Sequence, residues 1–304
     1  MLRSMKNFGK MLIRQAVNCR LNRLPLSEST AEWYAEKIKK YPAILGDVNG
    51  RRNVQLTAGI TMNVGIVDVI ERSLLTTGTW DLIVEKCLQQ LLTAGDTFLD
   101  VGANIGYFSM LASKIVGETG TVVSFEPSAR ALTRLTLHGC MNRCRNLLVC
   151  SHAVGEVAGR VALNWANATN IGGSTINRGT GTHVEAIAVR RLDDVCQELS
   201  LRPRLMKMDI EGFELFALKG ASEILQQCHP DVICELTGAF LRDHGQSSES
   251  LVRFMQDLGY LAFLVSLSTD SQLLLKRCSP EETPSEQAEI LFSVSDDPFA
   301  CRSS

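Results

Sequence analysis

The stretch FLDVGANIGYFS, Phe98–Ser109, decides how the rest of the chain is interpreted. An apolar strand ends with the acidic residue Asp100, and Gly102 and Gly106 follow before a helix begins. A strand, a glycine turn and a helix in this order can hold a ligand at the carboxyl end of the strand. A purely structural explanation is that the glycines only allow the strand and the helix to pack closely.

From Thr97 onward, strand-like and helix-like runs alternate. The strand-like runs are TFLDV, TVVSFE, NLLVCS, RLMKMD, DVICEL, YLAFLV and EILFSV, and most are separated by helix-like runs at Ile105–Val116, Ser128–Met141, Phe213–Gln227 and Ser247–Leu258. This alternation predicts an α/β fold, in which crossover helices cover both faces of a parallel sheet. No helix separates the last two strands, so we expect a terminal hairpin and one antiparallel strand at the end of a seven-strand sheet.

The chain before this region is interpreted as mainly helical between residues 27 and 90, with a helix from about Asp81 to Leu92. We expect residues 1–60 to be an N-terminal helical extension and residues 61–304 to be the main domain. The first 24 residues carry six Lys and Arg residues and no acid. They are compatible with a packed helix, a helix on a membrane surface or a mitochondrial presequence.

Composition excludes some classes of function. A net charge of -2 gives no electrostatic case for nucleic-acid binding, and no apolar run has the length of a transmembrane segment. Ten cysteines are scattered without a C-x-x-C pair, which favours a reducing compartment and a cytoplasmic protein.

The spacing D-x-G-x-x-x-G indicates which ligand the glycine turn holds. Asp100 stands where a dinucleotide-binding pattern has its first glycine, and a carboxylate there would repel a pyrophosphate. S-adenosylmethionine has no phosphate and carries an ammonium and a sulfonium, so an acid suits it. Glu126 ends the next strand and could accept hydrogen bonds from ribose hydroxyls, a feature shared with NAD binding. No Lys or Arg follows the turn before Lys114.

Further acids follow the fourth and fifth strands. In KMDIEGFE, Asp209 is a candidate general base or cation ligand and Glu211 a second catalytic candidate, while Glu211 and Glu214 could instead only cap the next helix. Glu235 ends the fifth strand and is the third catalytic candidate. Asp209 and Glu235 could bind a divalent metal or substrate hydroxyls, and we do not favour the metal. The five histidines form no ligand pattern.

A long insert, Val157–Glu185, is rich in Asn, Thr and Gly. A loop of this length inside a compact domain is uncommon unless it is functional. We predict a mobile lid over a polyhydroxylated substrate, with Asn170 offering hydrogen bonds and Trp165 an apolar face for a sugar ring. The alternative is a surface loop without a role.

Five separated blocks of sequence together resemble the FkbM family of S-adenosylmethionine-dependent methyltransferases. They are the segment from GTWD to SFEPS, then SHAVG, RRLDDV, LMKMDIEGFELFALKGASEIL and HPDVICEL, within about Met62 to Val294. DVGANIG and KMDIEGFE are the most distinctive. Met208 replaces the usual aliphatic residue of the second motif, which is a conservative departure.

The resemblance implies a class I, Rossmann-like methyltransferase fold and methylation of hydroxyl groups on sugars, glycolipids or polyketide-type molecules. By motif position it implies S-adenosylmethionine as the cofactor, with Asp209 and Glu211 at the reacting centre and Ser174 near the mouth of the site. The implied cofactor-binding residues are Asp100, Gly102, Ala103, Asn104, Gly106, Glu126, Pro127, Ser151, His152, Ala153 and Asp209.

Alternatives to O-methylation are N-methylation of an amine, a cofactor-binding pseudoenzyme or scaffold, and an NAD-linked dehydrogenase. The intact acids Asp100, Glu126 and Asp209 argue against the pseudoenzyme. The expected partners are a small-molecule or glycan acceptor and a second copy in a homodimer.

Overall fold

The computed structural model describes residues 29–33, 36, 51–56, 59–164, 175–176 and 184–300. The chain divides into two compact units, Met1–Trp80 with Ala166–Gly172 and Asp81–Trp165 with Gly173–Ser304. The boundary expected after residue 60 stays a prediction, because most of residues 1–60 lie outside the described residues. No helix in these described ranges is long and apolar enough to cross a membrane.

The first unit contains β1 (Arg52–Gln55), β2 (Thr61–Val64) and α1 (Val69–Thr76). β1 and β2 pair antiparallel, with Arg52 opposite Val64, in a segment for which the sequence predicted helix. Met62 and Val64 are fully buried while Thr61 and Asn63, which alternate with them in β2, are half-buried. This period-two pattern lasts only four residues, which is too short to be recognised in the sequence.

The second unit holds the elements of the main domain. They are α2 (Leu82–Leu91), β3 (Thr97–Val101), α3 (Tyr107–Val116), β4 (Thr121–Phe125), α4 (Ala129–Asn142), β5 (Leu147–Cys150), β6 (Ala153–Val154), β7 (Gly159–Asn164), β8 (Thr175–Ile176), β9 (Val184–Arg190), α5 (Leu192–Glu198), β10 (Leu205–Met208), α6 (Glu214–Lys219), α7 (Ser222–Cys228), β11 (Asp231–Thr237), α8 (Gly238–Asp243), α9 (Ser248–Asp257), β12 (Leu261–Leu267), β13 (Leu273–Arg277) and β14 (Gln287–Ser293).

Eight of these strands form one mixed sheet in the order β5-β4-β3-β10-β11-β14-β12-β13. The first five are parallel, and β14 runs antiparallel to both β11 and β12. All seven expected strands are present and the α/β class is confirmed. One antiparallel strand, β14, lies inside the sheet, however, and a second, β13, pairs antiparallel with β12 at the edge. β13 is the eighth strand, and its half-exposed residues lie in the segment that was expected only to connect the two strands of the terminal hairpin.

The helix expected over Phe213–Gln227 is two helices, α6 and α7. Gly220 separates them, and a Cβ added there would lie 2.1 Å from the carbonyl oxygen of Gly155. Asp193, from the RRLDDV block, caps α7 because its Oδ1 accepts hydrogen bonds from the backbone N–H groups of Glu223 at 3.1 Å and Ile224 at 3.0 Å. That block is therefore structural at this position.

The insert Val157–Glu185 is not a loop throughout. β7 and β9 pair antiparallel across it, from Gly159 opposite Val189 to Asn164 opposite Val184, within a four-stranded sheet of order β6-β9-β7-β8. Leu163 and Val189 are buried between neighbours of this small sheet. The alternation of apolar and polar residues in these strands is a weak signal in the sequence because Asn, Thr and Gly dominate the segment around them.

Candidate active site

The loop between β3 and α3, residues 101–106, is termed the cofactor loop. Gly102 and Gly106 have φ values of 80° and 87°, and Asn104 adopts φ 50° between them. A Cβ added to Gly102 would lie 1.9 Å from the carbonyl oxygen of Asp209. Gly102 therefore lets the cofactor loop lie directly against the turn that follows β10, as only glycine fits this backbone conformation and this space.

Asp100 lies beneath the cofactor loop and is fully buried. Its Oδ2 accepts a 2.5 Å hydrogen bond from Ser109, which in turn accepts one of 2.8 Å from Ser124. Its Oδ1 is buried and has no hydrogen-bond partner among the described residues. Burial raises the pKa of Asp100, and the Lys207 ammonium opposes that rise. A buried oxygen without a donor favours a donor supplied by a ligand.

Glu126 joins the cofactor loop to the start of α4. Its Oε2 accepts a hydrogen bond from the backbone N–H of Asn104 and its Oε1 accepts one from Ser128, both at 2.8 Å. Burial raises the pKa of Glu126 to about 7. Each carboxylate oxygen has two lone pairs, so both oxygens can still accept from ribose hydroxyls.

These groups fit S-adenosylmethionine. Asp100 Oδ1 and Asn104 Oδ1 are buried acceptors for which the described part of the chain supplies no donor, and the acceptor Glu126 lies at the end of the adjacent strand. Such a site offers acceptors to an ammonium and to hydroxyls. It offers a pyrophosphate two carboxylates, which would repel it.

The residues expected beside the adenine follow β4 and β5 at the same edge of the sheet. Ala153 is buried, His152 half-buried and Ser151 exposed. The His152 ring lies 5.5 Å from the Phe125 ring, and burial lowers the pKa of His152. Pro127 is half-buried, and Ala103 is buried in the cofactor loop.

The turn after β10, residues 209–213, is termed the β10 turn. The backbone N–H of Asp209 donates to the Val101 carbonyl at 3.1 Å, which ties this turn to β3. Glu211 adopts φ 55°, and Glu214 supports that conformation because its Oε1 accepts from the N–H groups of Ile210 at 3.0 Å and Gly212 at 3.1 Å. Glu214 therefore has a structural role. Burial, and then Asp209, raise the pKa of Glu211 to about 7.

Three more acids, Glu235, Glu289 and Asp81, interact electrostatically with Asp209 of the β10 turn. Glu235 lies directly opposite Glu289 in the β11–β14 pair, and Gln287 donates to Glu235. Burial, and then Asp209, raise the pKa of Glu235 to about 8. Burial, and then the charges of Asp81 and Glu235, raise the pKa of Glu289. The Oε2 atom of Glu289 is buried without a hydrogen-bond partner among the described residues. Asp81 caps α2 and, with Glu289, lines a cavity of about 510 Å³.

Lys207, Asp81 and Glu289 are residues of this region that the sequence patterns do not indicate. Lys207 is the first residue of KMDIEGFE and Asp81 the expected start of a helix, and neither position predicts a ligand. Glu289 becomes recognisable only from the register with Glu235. Trp165, Asn170 and Ser174 lie outside the described residues. Within the described ranges, no group of three His, Cys, Asp or Glu side chains could hold a metal ion.

Comparisons with known proteins report the following similarities. The chain is 19% identical to methyltransferase FkbM from Methylobacillus flagellatus KT, covering 73% of this chain and 52% of that one, with a TM-score of 0.40. It is 15% identical to precorrin-6y C5,15-methyltransferase from Geobacter metallireducens GS-15, covering 70% and 86%, with a TM-score of 0.41. This chain thus spans about half the length of the first of these proteins. No curated protein matches its sequence.

The model of the methyltransferase FkbM domain matches residues 100–262. The match begins at Asp100, includes the cofactor loop, Glu126 and the β10 turn, and continues through β11 into β12. It covers more than half of the chain, which therefore belongs to the FkbM family of S-adenosylmethionine-dependent methyltransferases.

Proposed function

We propose that this chain is an O-methyltransferase that methylates a hydroxyl of a sugar, glycolipid or polyketide-type small molecule. One observation carries the proposal: the β10 turn lies directly against the cofactor loop, at Gly102 and Asp209. This contact supports a position for the carboxylates of the β10 turn, Asp209 and Glu211, beside the loop expected to hold the methyl donor. An alcohol needs a base in this position because its proton must leave as the methyl group is transferred.

In the bound state S-adenosylmethionine supplies an electrophilic methyl group on its sulfonium. The protein aligns the acceptor with that methyl group and receives the proton. Asp209, the first candidate from the sequence, has its Oδ2 ion-paired with Lys207 at 3.1 Å, which suits it to orient the acceptor hydroxyl. Glu211 and Glu235, with pKa values of about 7 and about 8, match a general base that works near neutral pH.

N-methylation is a second candidate, supported by the excess of acids around the β10 turn. Asp81, Asp209, Glu235 and Glu289 interact electrostatically with one another, and the Lys207 ammonium lowers the pKa of Asp81, Glu235 and Glu289 against the effect of burial. An acceptor amine would enter such surroundings as a favourable cation. Both chemistries use the same cofactor site.

Calorimetry tests the cofactor site. We expect S-adenosylhomocysteine to bind and NAD not to bind, and we expect Asp100→Asn to weaken S-adenosylhomocysteine binding by about tenfold or more. Binding of NAD, or unchanged affinity in the variant, would contradict this placement. Glu118→Gln, an exposed change near the end of α3, is the matched control.

Isotope-labelled methyl donor tests the acceptor. The protein is incubated with the donor and either a library of sugars, glycolipids and polyketides or a library of amines, and products are detected by mass spectrometry. Label on a hydroxyl oxygen is the expected result. Label found only on nitrogen would replace O-methylation by the second candidate.

A further inference from the structure

Lys207 is a buried ammonium in the middle of this site, and the proposed mechanism gives it no step of its own. It lies on β10 opposite Asp100 of β3 and is 5% exposed. Its Nζ donates to the carbonyl oxygen of Gly102 at 3.2 Å and to Oδ2 of Asp209 at 3.1 Å. It also lies 5.4 Å from the centroid of the Phe108 ring. One side chain therefore contacts the cofactor loop, the β10 turn and the first turn of α3.

The charge of Lys207 is as important as its hydrogen bonds. Burial raises the pKa of Asp100, Glu126, Glu211 and Glu235, and in each case Lys207 lowers it. Burial would by itself lower the pKa of Lys207, but Asp209 and Asp100 outweigh it and the net effect is a rise. The ammonium is therefore held in its charged form by the same acids that it stabilises.

We propose that Lys207 is a positioning residue for the cofactor: it holds the Gly102 carbonyl and the Asp209 carboxylate together and places a positive charge beside the acids of the cofactor site. The inference rests on the proposed function only for the identity of the cofactor. Acceptor chemistry does not enter it, because the effect is exerted on binding.

Two substitutions separate the charge from the shape of the side chain. Lys207→Met keeps the aliphatic stem and removes the charge, while Lys207→Arg keeps the charge and changes the shape. Lys219→Met is the control, since Lys219 lies in α6 and forms a half-exposed pair with Glu156 at 3.7 Å. The measurement is S-adenosylhomocysteine affinity by calorimetry from about pH 6 to about pH 8.5, together with thermal unfolding of each variant.

We expect Lys207→Met to bind about tenfold or more weakly at pH 7 and its affinity to reach a plateau at a higher pH than that of wild type. The direction follows because the acids remain protonated to higher pH without the ammonium, and a protonated acid no longer attracts the ligand ammonium. Lys207 and Asp209 are the charged groups acting on Asp100, and Lys207 and Asp100 are those acting on Glu126. For Lys207→Arg, the midpoint of the curve of S-adenosylhomocysteine affinity against pH should equal that of wild type, even if the variant binds the ligand more weakly.

Equal pH midpoints in wild type and Lys207→Met would overturn the proposal, as would the same midpoint shift in the Arg and Met variants. If Lys207→Met does not fold, Lys207→Met combined with Asp209→Asn removes both partners of the pair and is measured instead, with Asp209→Asn alone as its reference. A wild-type protein that binds no S-adenosylhomocysteine would contradict the proposed cofactor site, a result distinct from failure of the Lys207 variants.

Discussion

At Gly102, the cofactor loop and the β10 turn are in direct contact. Substitution of Gly102 by alanine adds one methyl group at this contact and so tests whether the site depends on it. We expect Gly102→Ala to destabilise the protein and to weaken S-adenosylhomocysteine binding by about tenfold or more, because the added Cβ would lie 1.9 Å from the Asp209 carbonyl oxygen. The free energy of unfolding is measured by urea denaturation and the affinity by calorimetry.

Gly117→Ala is the control for this substitution. Gly117 also has a positive φ, 65°, but a Cβ added there has no atom within 4 Å. Both variants therefore carry the cost of an unfavourable backbone conformation, about 1–3 kcal/mol, and only Gly102→Ala carries the collision. Equal losses of stability and unchanged cofactor affinity would show that the two loops do not depend on this close approach.

The identity of the general base is the second question at the scale of residues. A carboxylate base must be deprotonated, so kcat/KM should rise with pH through its pKa, about 7 for Glu211 or about 8 for Glu235. We expect the Gln variant of the true base to lose this rise together with most of its turnover. Glu223→Gln, at an exposed position in α7, should retain it. A flat profile from about pH 6 to about pH 9 in wild type would exclude both glutamates.

Among the elements, the sequence predicted the crossover helices well and the small sheets poorly. α3, α4 and α9 lie within two residues of their expected bounds because their apolar residues recur at helical spacing and turn residues flank them. β1, β7 and β13 were missed. They are short, lie at edges or in small sheets, and expose much of their surface, so their burial pattern gives little signal.

Asp193 gives a prediction about an element. We expect Asp193→Ala to lower the free energy of unfolding by about 1–2 kcal/mol, because the first turn of α7 loses the acceptor for its Glu223 and Ile224 N–H groups. Urea denaturation measures the change. Asp194→Ala is the control, since Asp194 is half-exposed and contacts Arg191 at 3.3 Å. Cofactor affinity should stay unchanged in both, and a tenfold loss in Asp193→Ala alone would assign Asp193 a role in the site.

For the molecule as a whole, the sheet topology explains why the candidate site could be predicted only in part. Asp100, Glu126 and Asp209 are recognisable because each lies at the carboxyl end of its own strand, and parallel strands end at one edge. Glu289 lies on β14, which inserts between β11 and β12, so its position beside Glu235 depends on pairing between segments distant in sequence. Motif spacing contains no information about such a pairing.

The buried acids also predict how the stability of the whole protein depends on pH. Glu126 and Glu211 have pKa values of about 7 and Glu235 one of about 8, against an ordinary value of 4.5. Between these pH values the folded state binds more protons than the unfolded state. The contribution of these three groups to the free energy of unfolding is therefore greatest below about pH 4.5 and is lost as the pH rises to about 8. The pKa of Lys207 is raised from 10.5, so its contribution is lost only above this window.

We therefore expect the urea midpoint of the ligand-free protein to fall between about pH 5 and about pH 8, and Glu126→Gln to reduce the slope because one titrating group is removed. Saturating S-adenosylhomocysteine should counteract the decline, since its ammonium and hydroxyls bind the ionised acids of the folded state and its stabilising effect grows as its affinity rises with pH. A midpoint that is constant or rises over this range would show that the acids titrate normally. It would remove the electrostatic basis for assigning them to the cofactor site.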